Sequence, residues 1–209
     1  MITGYTTLTH HSGYDAYANF SADGKPLDRA EEYFNADGFE ARLVTYGRDG
    51  VRITERTYDP VTGLSIGFSA KDNGQLVYTI KYAYDGDDAL IRSDTFSPEG
   101  KPYAYVVYDH GREAKKDYKY TDGTHEELTY AYDRRHWLTG TRMTVNGGLV
   151  CTFTIDRRPD GSVIRSLATG PDGTLWAEYP DMQVAEVLPD GHPANAPTAG
   201  ILHKTGRWF

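Results

Sequence analysis

Seven histidines, one cysteine and 30 acidic residues are the side chains in this 209-residue chain with the capacity to bind a metal or move a proton. The histidines are His10, His11, His110, His125, His136, His192 and His203, and none falls in an H-x-x-x-H or H-E-x-x-H pattern. The nearest approach, Thr124-His125-Glu126-Glu127, lies on a predicted strand. His125 and His136 are candidate cross-strand neighbours, but exposed strand histidines without a metal are the expectation there. His10 and His11 are adjacent on a strand and so point to opposite faces, as do Glu31-Glu32 and Glu126-Glu127. Glycoside hydrolysis needs two carboxylates facing one substrate, and these pairs do not supply them. Asp85-Gly86-Asp87-Asp88 is the densest carboxylate run, without the D-x-D-x-D-G spacing of a calcium loop. It reads as a solvated acidic turn able to dock a basic partner. Cys151 alternates with Phe153 and Ile155 and reads as a buried structural thiol. A single cysteine excludes an internal disulfide and a cysteine-based zinc site. No G-x-S-x-G elbow, P-loop or dinucleotide fingerprint occurs. No catalytic residue, metal site or cofactor is therefore expected.

The elements that would hold these side chains follow from the turn residues. Asp-Gly and Asn-Gly signals recur at Asp23-Gly24, Asp37-Gly38, Asp49-Gly50, Asn73-Gly74, Asp122-Gly123, Asn146-Gly147, Asp160-Gly161 and Asp172-Gly173. Such pairs supply the positive φ that tight hairpins need. An aromatic residue leads into most of them. Tyr84, Phe96, Tyr108, Tyr120 and Tyr132 recur every twelfth residue, as do Phe34, Tyr46 and Tyr58. Between turns the pattern has period two: Tyr78, Ile80, Tyr82 and Tyr84 share a face, and so do Leu128, Tyr130 and Tyr132. Twelve residues divide into a strand of about eight and a turn of about four. Strands joined by short turns must run antiparallel. The chain is therefore read as all-β, an antiparallel meander of about 12–14 strands built from a 12-residue hairpin repeat. Accumulated twist must curl such a sheet open or close it into a large barrel. A small propeller would need a signal every fourth strand, which is missing. Leu27–Phe34 fits helix and strand periods equally. Residues 1–16 form a capping segment, 17–179 the repeat domain, and 180–209 a Pro- and Gly-rich tail whose apolar end is expected to dock back on the domain.

Charge narrows the partners. Lys plus Arg is 22 against 30 acidic residues, a net charge of −8. Phosphate-binding proteins carry a basic face, so nucleic acid is disfavoured as a ligand. A basic protein partner is favoured, because opposite net charge speeds encounter. No apolar run approaches a membrane span and no secretory signal opens the sequence, which points to the cytoplasm and away from a membrane.

Arg56-Thr57-Tyr58-Asp59-Pro60-Val61-Thr62-Gly63-Leu64 and Tyr108-Asp109-His110-Gly111-Arg112 resemble the Tyr-Asp repeats of Rhs-type proteins. Tyr84-Asp85 and Tyr132-Asp133 repeat the dipeptide, the latter without its Gly. In that motif Tyr packs on the sheet beside the turn, Asp caps the turn through backbone N–H groups, and Gly takes the left-handed position. The family's repeat is nearer 20 residues and its proteins are far longer, forming a curled shell around a toxin. The pairing of two units also resembles, more loosely, MORN-like hairpins of small bacterial antitoxins and immunity proteins. These resemblances imply a toxin-related system. The expected function is a non-catalytic immunity protein that occludes the active face of a basic toxin domain. Asp85, Asp87, Asp88, Tyr103, Tyr105 and Asp109 are its expected partner-binding residues. The alternatives are a structural Tyr-Asp shell module and a carbohydrate-binding or glycan-active protein.

Overall fold

The computed structural model describes residues 4–184, which form strands, the turns between them and a short stretch after the last strand. There are 15 strands: β1 (Gly4–His11), β2 (Tyr14–Ser21), β3 (Pro26–Phe34), β4 (Glu40–Gly47), β5 (Gly50–Tyr58), β6 (Ser65–Asp72), β7 (Gln75–Tyr84), β8 (Leu90–Phe96), β9 (Pro102–Asp109), β10 (Arg112–Lys119), β11 (His125–Tyr132), β12 (Leu138–Val145), β13 (Gly148–Arg157), β14 (Val163–Thr169) and β15 (Leu175–Pro180). Their order in the sheet is their order in the sequence, as a meander requires. The count exceeds the sequence reading because residues 4–11 form a strand paired with β2 along its whole length. Leu27–Phe34 is strand, within β3. Most of the predicted tail, including its apolar end, lies outside the described residues.

The twelve-residue beat is a strand plus its turn. Tyr84, Phe96 and Tyr132 are the last residues of β7, β8 and β11, Tyr108 is the penultimate residue of β9, and Tyr120 directly follows β10. Two turn designs alternate irregularly along the chain. The tight one has two central residues, both left-handed at Asn73-Gly74 (φ 50° and 83°) and Asn146-Gly147 (φ 51° and 78°). This twist matches that of the flanking strands. The longer design is a five-residue loop closed on itself. The first residue's N–H donates to the fifth carbonyl and the fourth N–H to the first carbonyl, as in Asn35 to Phe39 (2.9 Å) and Gly38 to Asn35 (3.0 Å).

Most of these loops, and the six-residue loop Asp59–Leu64, are followed by a strand that carries one extra residue against its partner; β11, after the Tyr120–Thr124 loop, pairs with β10 without a shift. The register shifts at Tyr33/Phe34, Thr57/Tyr58, Ala83/Tyr84, Ala131/Tyr132 and Asp156/Arg157 leave Ala41, Ile66, Ile91, Thr139 and Ile164 as the extra residues. A bulge re-aims the side chains beyond it. Leu27, Ile66, Ile91, Ile164 and Trp176, all at such positions, are exposed despite their hydrophobicity. In β12 the same device places Leu138 beside Ile155 in the core.

The chain divides within β9 into two compact units, residues 1–105 and 106–209. In the second, Cys151, Phe153 and Ile155 alternate inward from β13, with Leu128, Leu138 and Ala168 buried beside them. The stretch after β15 folds back over this apolar face. Asp181 N–H donates to the Ile164 carbonyl (2.9 Å), the Ser166 hydroxyl donates to the Met182 carbonyl (2.6 Å), and Val184 is fully buried. The first unit has a thin core around Val44 and Ala70. Ladders of stacked rings, guanidinium-over-ring contacts and ion pairs run across its strands instead. Examples are Tyr14 on Tyr33 (5.0 Å), Arg29 over Tyr46 (4.0 Å) and Lys71 on Glu55 (2.8 Å). Cross-strand pairs of this kind contribute roughly 0.2–1 kcal/mol each.

Core and bulge positions separate by mutation. Phe153→Ala, at 2% exposure, is expected to lower stability by about 3–5 kcal/mol, whereas Ile164→Ala, at 41% exposure, should cost under about 1 kcal/mol. Urea unfolding of the two variants checks this.

Candidate functional sites

The Tyr-Asp pairs are structural first. Tyr58, Tyr84 and Tyr132 each donate their hydroxyl to a carbonyl at the start of the preceding strand: Glu40 (2.6 Å), Ser65 (2.7 Å) and Glu113 (2.8 Å). Each bond clips the open end of a hairpin, and burial pushes the Tyr84 and Tyr132 hydroxyls above their usual pKa. The following aspartate then closes the next turn. Asp85 Oδ1 accepts from Asp87 N–H (3.0 Å) and Ala89 N–H (2.9 Å), and Asp133 Oδ1 accepts from Arg135 and Trp137 N–H (2.9 Å each). Asp59 Oδ1 accepts from Val61 (2.9 Å) and Thr62 (2.8 Å). The fourth copy departs from this pattern. Asp109 belongs to a tight turn, and its carboxylate meets the His110 ring at 2.7 Å. Where Gly is missing from the left-handed position, His136 (φ 63°) and Asp88 (φ 61°) take it, and Gly86 does not.

The six residues expected at a partner surface are thus dispersed in role. In the first unit Asp85 is committed to its turn, while Asp87 and Asp88 hold exposed carboxylates at the tip of the β7–β8 loop. Tyr103 is half-buried, and desolvation raises its hydroxyl pKa. Tyr105 is half-buried beneath the Arg92 guanidinium, 4.3 Å from the ring centre, and Arg92 is itself held by Asp94 at 2.6 Å. In the second unit Asp109 is exposed at its turn.

Two arrangements were not foreseen from sequence. The first is a rim. The β3–β4, β5–β6 and β7–β8 loops lie at the same end of an antiparallel sheet, so their exposed residues share an edge of the first unit. Phe39, Val61, Ile66 and Ile91 are exposed there, Val61 at 91%, along the same edge as Asp87 and Asp88. Phe39 stacks on Tyr58 at 5.6 Å, which joins neighbouring loops.

The second is a cluster on the polar face of the second unit. Asp117 of β10 stands directly opposite Glu127 of β11, with His125 two residues along the same face. Asp117 Oδ2 lies 2.9 Å from His125 Nε2 and 3.8 Å from Lys115 Nζ. Lys115 also pairs with Glu127. The Asp117 side chain is 4% exposed, and its Oδ1 has no hydrogen-bond partner. The period-two pattern places residues 115, 117, 125 and 127 on one face once β10 and β11 are paired, but the pairing register had to be known. His125 does not meet His136, whose ring lies 6.1 Å from that of His110.

Other polar features are satisfied or closed. A cavity of about 420 Å³ lined by Tyr132, Trp137, Arg157 and Gln183 contains no carboxylate pair. Its Arg157 guanidinium donates to the Leu138 and Gly161 carbonyls (3.2 and 2.8 Å). Burial pushes the Cys151 thiol up to about 11, so it stays protonated and unreactive at neutral pH. No helix among the described residues is long and apolar enough to cross a membrane.

No protein-family model matches the chain, and no curated protein matches it. Among solved structures it is similar to TcdB2-TccC3-Cdc42, with 13% identity over 83% of this chain and a TM-score of 0.37. The chain spans 13% of the length of that protein. It is also similar to a porin-like protein from Bacteroides uniformis, with 11% identity over 83% of this chain and 91% of the other, at a TM-score of 0.41. A porin-like protein from Bacteroides vulgatus follows at 10% identity, 84% and 85% coverage, and a TM-score of 0.29. None of these similarities assigns a role to a residue.

The turn chemistry has two measurable consequences. Asp133→Ala and Tyr132→Phe should each lower stability by about 1 kcal/mol, and Asp109→Ala by a few tenths at most, in urea titrations. Backbone and side-chain donors hold the Asp59, Asp160 and Asp172 carboxyls below their usual pKa. A carboxyl depressed by folding stabilises the fold above its unfolded pKa, and that stabilisation is lost as pH falls through the folded value. Stability should therefore decline below about pH 4, and the Asp59→Asn, Asp160→Asn, Asp172→Asn triple variant should show a shallower decline in the same range.

Proposed function

We propose that this chain is a non-catalytic binding protein of the immunity type, which covers a basic toxin domain and blocks its active face. One observation carries the reading: one edge of the first unit presents Phe39, Val61, Ile66 and Ile91 in the open, together with the exposed carboxylates of Asp87 and Asp88. Isolated exposed apolar side chains are ordinary, but several along one edge mark an interaction surface. Apolar anchors bordered by charge are the usual anatomy of a protein interface. Asp88 keeps a carboxylate at a left-handed position that most equivalent loops give to Gly, at a cost of about 1 kcal/mol. The net charge of −8 favours encounter with a cationic partner. The Tyr-Asp motifs and hairpin spacing motivate the toxin connection.

The test is co-expression with the product of the adjacent reading frame. Complex formation on purification and protection of cells are the expected results. Val61→Asp, and separately the Asp87→Lys, Asp88→Lys pair, should each weaken the complex at least about tenfold without changing the circular dichroism spectrum. Absence of both a complex and protection would overturn the reading, as would full affinity in both variants.

A further inference from the structure

We propose that Asp117, His125 and Glu127 form a binding site for a divalent transition-metal ion of the zinc class, with the Lys115 ammonium filling the site when the metal is absent. One ligand atom from each of the three residues lies within 4.8 Å of the others. One imidazole nitrogen and two carboxylate oxygens are a donor set for zinc and its neighbours, with water completing the shell. Tetrahedral coordination brings donors to about 3.3 Å from one another, and the Asp117–His125 pair is already at 2.9 Å. The remaining closure lies within the rotamer freedom of Glu127, which sits directly across the ladder from Asp117.

The independent sign of a ligand is the state of Asp117. Its side chain is 4% exposed, yet its Oδ1 has no partner. A buried carboxylate oxygen left unpaired is costly, and surviving examples ask for an ion or water at the site. Before His125 is counted, two carboxylates face one ammonium, so the cluster carries one excess negative charge. A divalent cation neutralises that excess and takes a lone pair from all three residues. Lys115 supplies only a point charge, and its side chain, 30% exposed on a flexible stem, has a route outward to solvent.

The fold positions the ligands from both sides. Asn146, in the tight turn after β12, donates its N–H to the His125 carbonyl (2.7 Å) and accepts the His125 N–H on Oδ1 (2.8 Å). The His125 backbone is thereby pinned at the strand's start. Lys119 stands opposite His125, Arg142 opposite Thr129, and Thr144 opposite Glu127. These are the other polar side chains on this face of β10, β11 and β12 near the site. The two cations among them oppose metal entry, so the site is selective for a tightly ligated ion over loosely bound calcium or magnesium.

The experiment is calorimetric titration of the full chain with zinc chloride in a non-chelating buffer. We expect one site with a dissociation constant of about 10 μM or tighter. Lys115→Met should tighten binding at least about tenfold, because it removes the competing ammonium. His125→Ala and Glu127→Gln should each weaken it at least about tenfold. His110→Ala should leave it unchanged, which separates this site from adventitious binding at the His110–His136 pair. Circular dichroism confirms that each variant is folded. His125 and Glu127 are partly exposed, so their replacement spares the buried Asp117. Absence of binding at about 1 mM zinc overturns the proposal. So does binding that survives His125→Ala or disappears with His110→Ala. A Lys115→Met variant with weaker binding than the unaltered chain also overturns it.

Discussion

A chain that pairs each strand with the next must reverse direction every dozen residues, and that constraint shapes the whole molecule. Reversal requires one left-handed residue and a way to satisfy the loop's own polar backbone. Here the loop folds back on itself with two backbone bonds, and an Asp or Asn at its first position often takes two more N–H groups. The preceding tyrosine then clips the far end of the hairpin through its hydroxyl. One dipeptide thus serves both ends of the repeat. This gives the Tyr-Asp pattern a mechanical meaning that requires no ligand, and it explains why such sites are poor guides to function.

The two units solve stability differently. The second buries a conventional apolar face and covers it with the returning Met182–Val184 stretch, tied down through Ser166. The first buries little and relies on many half-exposed contacts between rings, guanidinium groups and carboxylates. Each contact of that kind is weak, and the ion pairs among them are salt-sensitive. Their number, spread over seven consecutive strand pairs, is what holds a sheet with so thin a core. The same economy leaves apolar side chains exposed at its loops, where a partner can use them.

Polar chemistry is correspondingly divided. Most carboxylates are spent on turns or on cross-strand cations, as Asp85, Glu40 and Glu55 are. Asp87 and Asp88 point into solvent at a tip, and Asp117 is enclosed on a sheet face. The first situation suits encounter with a charged macromolecule, because exposed charge acts through long-range attraction. The second suits a small ion, because a desolvated carboxylate gains most from a compact positive charge.

Periodicity two, the aromatic beat and the Asp-Gly and Asn-Gly pairs together determined that the chain is an antiparallel meander. They did so because strand pleat and tight-turn geometry are local properties of the residues concerned. The burial of Cys151, Phe153 and Ile155 was legible for the same reason, and so was the capping role of Asp85. The bulges were not legible, since an extra residue is defined only against its partner strand; Ile66, Ile91 and Ile164 are such residues and are exposed despite their hydrophobicity. Tertiary structure alone decided that Phe39 and Val61 share an edge with Asp87, and that His125 meets Asp117 and Glu127 in place of His136. These depend on register across strands, which a periodic sequence repeats many times over and so leaves nearly degenerate until the whole ladder is built.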